Sequence, residues 1–222
     1  MAVQFENEIL IPVRGVTLDG ELQIPPKATG LVLFAHGSGS SRLSPRNQFV
    51  ARMLREAGLG TLLFDLLTRE EEMIDSFTRH LRFDIVLLCE RLVAATHWLE
   101  NVDAARGLRM GYFGSSTGGG AALMAAAQLG ENIGAVVSRG GRPDLASAWL
   151  PKVKSPTLLL VGELDTVVIG LNRDAMSRMT CPTELRLIPD ATHLFEEPGA
   201  LEAVAHEAAS WFHEHLSPKR DG

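Results

Sequence analysis

Short, continuously apolar segments alternate along this chain with segments that have the spacing of amphipathic helices. The segment GLVLFAHG, residues 30–37, is apolar almost throughout, which is typical of a strand buried on both faces. A helical segment follows it, with Ser44 placed as the N-cap, Pro45 in the first turn and Gly58 as the stop. Further strands, each followed by a helix, are predicted at LGTLLFDLL, LRMGYFG, IGAVVSRGG, PTLLLVGELD and TELRLIPD. Such alternation requires crossover connections and therefore a mostly parallel sheet.

The first part of the chain has a different pattern. NEILIPVRG and VTLDGELQIP each alternate apolar and polar residues around a glycine, which predicts an antiparallel pair of strands. No repeat, low-complexity tract or long linker divides the 222 residues. We expect a single α/β domain over residues 1–222, although two small domains would also fit this length.

Composition argues against several classes of partner. The net charge is −6 and the pI about 5.6, so there is no broad basic surface for nucleic acid or an anionic membrane. The segment MAVQFENEILIPVRG lacks the features of a secretory signal, and no apolar run reaches the roughly 18 residues of a membrane span. Cys89 and Cys181 lie in unlike settings, without disulfide or metal-ligand spacing. We therefore expect a cytoplasmic protein without a metal or cofactor.

The stretch GYFGSSTGGG, residues 111–120, places two serines between a predicted strand and a predicted helix. Ligands of open parallel sheets bind outside the carboxyl ends of the strands, so this position is a candidate site. A serine nucleophile on a sharp strand-to-helix turn needs small residues two positions before and after it, G-x-S-x-G. Only Ser116 fits, with Gly114 and Gly118, because framing on Ser115 would place Phe113 and Thr117 at the glycine positions.

A serine hydroxyl needs a base to remove its proton and a carboxylate to orient that base. In this type of sheet the order along the chain is Ser, then Asp or Glu, then His. Asp165 follows the strand PTLLLVGELD and His193 follows LRLIPDATHLF, which predicts them as acid and base. Glu163 and Asp190 are competing candidates for the acid. The alternative without a catalytic role is that Asp165 is a turn residue and His193 a surface histidine.

Acyl chemistry also needs donors for the oxyanion that forms on attack. The backbone N–H of Thr117, directly after the serine, is one expected donor, and that of Ser38 in the loop HGSGSSR is the other. This loop lacks the third glycine of G-x-G-x-x-G, and the sequence contains no G-x-x-x-x-G-K-[ST]. Nucleotide binding is therefore not predicted.

Three arginines, Arg42, Arg139 and Arg142, lie near predicted strand ends. Their forked donors suit a planar carboxylate, which suggests a substrate with an anionic group. The alternative is that they pair with acids such as Asp65 or Asp144 and fix loops. The charged run REEEMIDSFTRH, residues 69–80, is interpreted as a solvated helix end.

With Ser116, Asp165, His193 and the HGSGS loop, the sequence resembles an α/β-hydrolase and is most similar to the dienelactone hydrolase family. The segments GELDTVV and ATHLF match that family's acid and histidine regions. The resemblance implies a cap-free α/β-hydrolase fold and hydrolysis of a small carboxylic ester through an acyl-enzyme. Dienelactone hydrolases carry a cysteine where this chain has Ser116, which favours a general serine esterase.

Other uses of the same residues remain open. They could hydrolyse a thioester or transfer an acyl group to an acceptor other than water, and the fold could also be a non-catalytic ligand-binding module. An aligned base beside a serine argues against a pure binder. The sequence leaves the substrate and the oligomeric state undetermined.

Overall fold

The structure, a computed structural model, describes residues 5–218. An eight-stranded sheet has the order β1-β2-β4-β3-β5-β6-β7-β8. The strands are β1 (Phe5–Val13), β2 (Val16–Ile24), β3 (Leu31–Ala35), β4 (Gly60–Phe64), β5 (Met110–Ser115), β6 (Ile133–Arg139), β7 (Thr157–Gly162) and β8 (Thr183–Ile188). The helices are α1 (Pro45–Glu56), α2 (Arg69–Thr78), α3 (Ile85–Leu99), α4 (Thr117–Leu129), α5 (Thr166–Arg178) and α6 (Ala200–Leu216).

The pairing of the strands confirms the predicted architecture. β1 and β2 form the expected antiparallel hairpin, and β2 also runs antiparallel to β4. From β4 to β8 all neighbouring strands are parallel. The chain is therefore a single-domain α/β fold with a mostly parallel sheet.

Helices cover both faces of the sheet, which explains why its central strands are apolar without alternation. In β3, Leu31 and Leu33 belong to a core shared with residues of α3 and α4. Val32 and Phe34 belong to a second core, shared with α1 and α6. All five residues of β3 are buried because each successive side chain enters one of these two layers.

Two helices differ from the sequence prediction. Residues 69–78, interpreted as a solvated helix end, form the separate helix α2, which starts with a capping box between Thr68 and Glu71. The buried carboxylate of Asp75 closes the end of α2, since it accepts from the backbone N–H of Leu81 at 2.8 Å and pairs with Arg82. Ser44 is the N-cap residue of α1, but its side chain makes no capping hydrogen bond.

The crossovers bring the carboxyl ends of the parallel strands to one edge of the sheet. The segments that follow β3, β5, β6, β7 and β8 therefore meet there. None of the helices within residues 5–218 has both the length and the apolar character that a bilayer span requires.

Candidate active site

The chain turns sharply from β5 into α4 at Ser116. Its φ and ψ are 51° and −120°, a backbone conformation that costs energy for any residue with a side chain. The turn is tight enough that a Cβ atom at Gly118 would lie 2.1 Å from the Ala35 carbonyl oxygen. A Cβ atom at Gly114 would lie 2.6 Å from the Gly118 carbonyl oxygen. Both glycines of the G-x-S-x-G frame are therefore required by the packing.

The two adjacent serines have different surroundings. Ser115 is the last residue of β5 and is 4% exposed, and its Oγ donates to Asn47 Oδ1 at 3.3 Å. Ser116 lies at the turn itself, and among the described residues its Oγ has no hydrogen-bond partner. The hydroxyl that remains available for chemistry is therefore that of Ser116.

Asp165 and His193 are in contact at the same edge. His193 Nδ1 lies 2.6 Å from Asp165 Oδ2, and the side chains are 38% and 14% exposed, respectively. Because the carboxylate can only accept, Nδ1 carries a proton, and in the neutral imidazole Nε2 keeps its lone pair. Of the competing acids, Glu163 instead accepts the backbone N–H of Asp190 at 3.3 Å.

Residues 139 and 140, at the end of β6, connect the serine to this pair. The Ser116 N–H donates to the Arg139 carbonyl oxygen at 3.1 Å. The next residue, Gly140, faces the histidine, since a Cβ atom there would lie 3.3 Å from His193 Cε1. Ser116 and the His193 ring therefore flank the same two residues of the chain.

Close packing between two loops holds the histidine beside the aspartate. A Cβ atom at Gly162, the last residue of β7, would lie 2.3 Å from the Ala191 carbonyl oxygen. That same oxygen accepts the N–H of Leu164 at 3.0 Å. The loop after β8 is thus held against the loop after β7, and their side chains Asp165 and His193 meet.

The loop after β3 lies against the serine turn. A Cβ atom at Gly37 would lie 3.1 Å from Ser116 Cβ. The backbone N–H groups of Ser38 and Thr117, the predicted oxyanion donors, have no acceptor among the described residues. Thr117 is the first residue of α4, where backbone N–H groups have no partner within the helix.

His36, which the sequence analysis treated only as part of the loop, is buried beneath it. Its Nε2 accepts the N–H of Leu66 at 3.0 Å, so Nδ1 carries the proton and donates to the Gly37 carbonyl oxygen at 3.0 Å. Burial lowers the pKa of His36 below its ordinary value, against the opposing effects of the Gly37 hydrogen bond and the charge of Asp65. A neutral His36 therefore links the Ser38 loop to the chain after β4.

The three arginines do not share one environment. Arg42 pairs with Asp65, whose Oδ1 also accepts the Arg42 backbone N–H at 2.7 Å. Arg142 holds Asp144 with two hydrogen bonds of 2.8 and 2.7 Å. These contacts correspond to the loop-fixing alternative for both residues. Arg139 is 9% exposed and has no acid partner among the described residues.

A cavity of about 580 Å³ adjoins the Ser38 side of the site. Residues 36–41 line it together with Arg46 at the start of α1 and with Glu72, Asp75 and Arg82 from the region of α2. Within residues 5–218, no group of three or more His, Cys, Asp or Glu side chains is arranged to hold a metal ion.

Solved structures and curated proteins are similar to this chain to different extents. The structure of a dienelactone hydrolase from Anabaena variabilis is 59% identical in sequence, with a TM-score of 0.94 over 96% of this chain and 98% of that one. Est1E from Butyrivibrio proteoclasticus has a TM-score of 0.78 at 16% identity, covering 93% of this chain and 98% of that one. At that identity the likeness is one of fold alone.

Two curated proteins, from two strains of Mycobacterium tuberculosis, are 52% identical over 95% of this chain and bear the provisional name phosphoribosyl transferase. The chain spans about half the length of these relatives, 47%. The model of the dienelactone hydrolase family matches residues 18–216, from within β2 to the end of α6. This chain therefore belongs to the dienelactone hydrolase family.

Proposed function

We propose that this protein is a serine esterase that hydrolyses a small carboxylic ester through an acyl-enzyme on Ser116. Membership of the dienelactone hydrolase family supports a hydrolase. The observation that carries the proposed ester hydrolysis is the 2.6 Å contact between His193 and Asp165, beside Gly140, which directly follows the residue whose carbonyl oxygen accepts the Ser116 N–H. An acid and a base in contact next to a strained serine are what nucleophilic catalysis on an ester requires.

Each of the three side chains has one role in this proposal. The Oγ of Ser116 attacks the carbonyl carbon while His193 Nε2 takes its proton, and Asp165 keeps Nδ1 protonated and stabilises the imidazolium. The protonated His193 then donates to the leaving alcohol as the acyl-enzyme forms. In the second half of the reaction, His193 removes a proton from water, which attacks the acyl carbon. The bond between this carbon and Ser116 Oγ then breaks, His193 returns the proton to Oγ, and the acid is released.

The oxyanion would be stabilised by the N–H groups of Ser38 and Thr117. Neither N–H has an acceptor within residues 5–218, and Thr117 lies at the positive end of the α4 dipole. His36 fixes the carbonyl of Gly37, the residue before Ser38, and so restricts the orientation of one donor. Donors that are already in place require no rearrangement when charge develops.

The same residues could hydrolyse a thioester or transfer the acyl group to an alcohol. Product analysis with and without a competing alcohol separates these reactions from ester hydrolysis, because transfer would yield a new ester. The phosphoribosyl transferase name belongs to proteins about twice as long as this chain, so we do not carry it over.

Covalent labelling tests the proposed nucleophile. We expect a small fluorophosphonate to add once to the wild-type protein and to Ser115→Ala, but not to Ser116→Ala, as measured by intact mass. Ser115→Ala is the matched control, since it removes the neighbouring hydroxyl and its hydrogen bond to Asn47, worth about 1 kcal/mol.

Two outcomes would contradict the proposal. An adduct that persists in Ser116→Ala would move the nucleophile to another residue. A wild-type protein that takes no adduct and cleaves none of a panel of small esters would favour a non-catalytic binding module.

A further inference from the structure

The loop that carries His193 contains two strained positions. It runs over residues 189–199, between β8 and α6. Asp190 and Phe195, on either side of the histidine, have φ angles of 56° and 55°, in the left-handed region that costs energy for residues with a side chain. Such a loop keeps one conformation only where its surroundings impose it, so the contacts that hold it determine where His193 lies.

The backbone of this loop gives little support around the histidine. Among the described residues, the hydrogen bond within residues 192–197 that joins two backbone groups runs from the Phe195 N–H to the Thr192 carbonyl oxygen, at 3.3 Å. Asp165 binds the His193 ring at Nδ1, at the far end of the side chain. The position of the other end, at the main chain, must therefore be fixed by side chains of the loop itself.

The Phe195 ring anchors the part of the loop that follows the histidine. This ring is 1% exposed and belongs to the core that α1 and α6 share. A Cβ atom at Gly140 would lie 3.4 Å from Phe195 Cε2 and 3.3 Å from His193 Cε1, so both rings pack against the end of β6. Thr192, which precedes the histidine, is exposed and has no such anchor in the core.

Glu197 supplies the contact on that side. Its Oε1 accepts the hydroxyl of Thr192 at 2.5 Å. The Thr192 hydroxyl and, with smaller effects, the backbone N–H groups of Glu197, Thr192 and Glu196 lower the pKa of the Glu197 carboxyl. The carboxyl is therefore ionised at neutral pH, and a hydrogen bond to a charged acceptor is stronger than one between neutral groups.

Glu197 is itself attached to the start of α6. Its carbonyl oxygen accepts the N–H of Ala200 at 3.0 Å, and Ala200 is the first residue of that helix and 4% exposed. A negative charge is favoured at this position by the positive end of the helix dipole. Because α6 packs into the same core as Phe195, the carboxylate joins the segment before His193 to the core of the protein.

We propose that Glu197 is a positioning residue for His193, and that by binding the Thr192 hydroxyl it holds the main chain of the histidine where Nε2 can take the Ser116 proton. The inference rests on the proposed function, in which His193 is the base. Glu197 acts through the loop and does not touch the substrate. A base that is displaced by even about 1 Å loses much of its effect on proton transfer, whereas binding of the ester is affected less.

Variants that break or keep this hydrogen bond test the proposal. We expect Thr192→Val and Glu197→Ala each to lower kcat on a small ester about threefold to tenfold, with KM changed by less than about twofold, because the base is displaced and the ester is still bound. The double variant should lose no more than either single variant, since each of them already lacks the contact. Thr192→Ser and Glu197→Gln keep a donor and an acceptor, respectively, and should retain most of the wild-type kcat.

Glu196→Ala is the matched control. Glu196 precedes Glu197 in the chain, is 63% exposed and pairs with Arg46. Its replacement removes the same charge one position away and should leave kcat unchanged. Equal losses in Glu196→Ala and Glu197→Ala would attribute the effect to net charge and overturn the proposal.

A spectroscopic measurement separates this inference from the proposed function. The Nδ1 proton of His193, in its short hydrogen bond to Asp165, should give a far-downfield proton NMR signal that is absent from His193→Ala. We expect this signal to shift or broaden in Thr192→Val and Glu197→Ala, whether or not any ester is cleaved. A wild-type protein without a fluorophosphonate adduct would contradict the proposed function, while the signal tests Glu197 in either case. Variants with a lowered Tm but an unchanged signal would show that Glu197 stabilises the fold without positioning the histidine, and would overturn the proposal.

Discussion

At the scale of single residues, the site depends on groups held in conformations that only their neighbours enforce. Ser116 keeps a φ of 51° because its N–H is bonded to Arg139 and its carbonyl oxygen accepts the N–H groups of Gly119 and Arg142 at 3.0 Å each. His36 keeps a single tautomer because both of its ring nitrogens have backbone partners. The backbone of Ser116 and the ring of His36 are therefore held in place before a substrate binds, which is the condition for efficient electrostatic stabilisation.

The buried His36 predicts a pH dependence of stability. The pKa of His36 is lowered in the folded state. Below the ordinary histidine pKa of about 6.5, the unfolded chain therefore binds a proton that the native state does not bind. Stability contributed by neutral His36 is thus complete above pH 6.5 and is lost as the pH falls. Between pH 6.5 and 5.5 the free energy of unfolding should decrease by about 1 kcal/mol more in the wild type than in His36→Asn.

Urea denaturation of both proteins at these two pH values measures this difference. Parallel decreases in the two proteins would show that other groups dominate the pH dependence in this range.

At the scale of the elements, the acid and the base are brought together by the contact between the loops after β7 and β8. The close approach of Gly162 to Ala191 leaves no room for a side chain between the two loops. Asp165 and His193 are 28 positions apart in the chain, and the residues between them include all of α5 and β8, so the pair forms only when these elements dock. The parallel pairing of β7 with β8 brings both loops to the same edge.

Gly162→Ala should therefore separate the two loops. We expect it to destabilise the protein by about 1–3 kcal/mol and to lower kcat, because the Ala Cβ atom would overlap backbone atoms that cannot rotate away. Gly170→Ala is the matched control, since Gly170 lies within α5 with open space around it and alanine favours a helix by up to about 1 kcal/mol. Urea denaturation and ester hydrolysis measure both effects, and a Gly162→Ala enzyme with wild-type kcat would contradict this account.

At the scale of the whole molecule, the candidate site belongs to no single part of the chain. Its groups follow β3, β5, β6, β7 and β8, which span the sheet from its centre to one edge. The two cores on opposite faces fix the positions of these strand ends. We therefore expect the site to be lost only when the sheet unfolds as a unit.

Equilibrium unfolding in urea tests whether the chain behaves as one domain. Trp98 reports on α3 and Trp211 on α6, on opposite faces of the sheet. We expect the loss of tryptophan fluorescence and the loss of fluorophosphonate labelling to occur with the same midpoint. Labelling that disappears at a clearly lower urea concentration would show that the site unfolds separately from the sheet.

Much of the architecture could be predicted from local sequence because its causes are local. Continuous apolar segments predicted the buried strands, and alternation with helices predicted their parallel order. The hairpin of β1 and β2 followed from its alternating polarity. The prediction of helix starts was wrong in two places. The charged run contains a separate helix, α2, which a capping box stabilises. Ser44 has the residue type and position of an N-cap, but its side chain makes no capping hydrogen bond.

The sequence by itself determined the turn at Ser116, because the glycines at 114 and 118 leave only one frame in which that turn can form. It also determined the order in which serine, aspartate and histidine follow their strands. Only the tertiary structure decided that Asp165 rather than Glu163 contacts His193, that Arg42 pairs with Asp65, and that Arg139 has no acid partner within the described residues. Those outcomes depend on which groups of distant segments share a buried space, and the strength of a charge interaction is set by that burial rather than by the residue type.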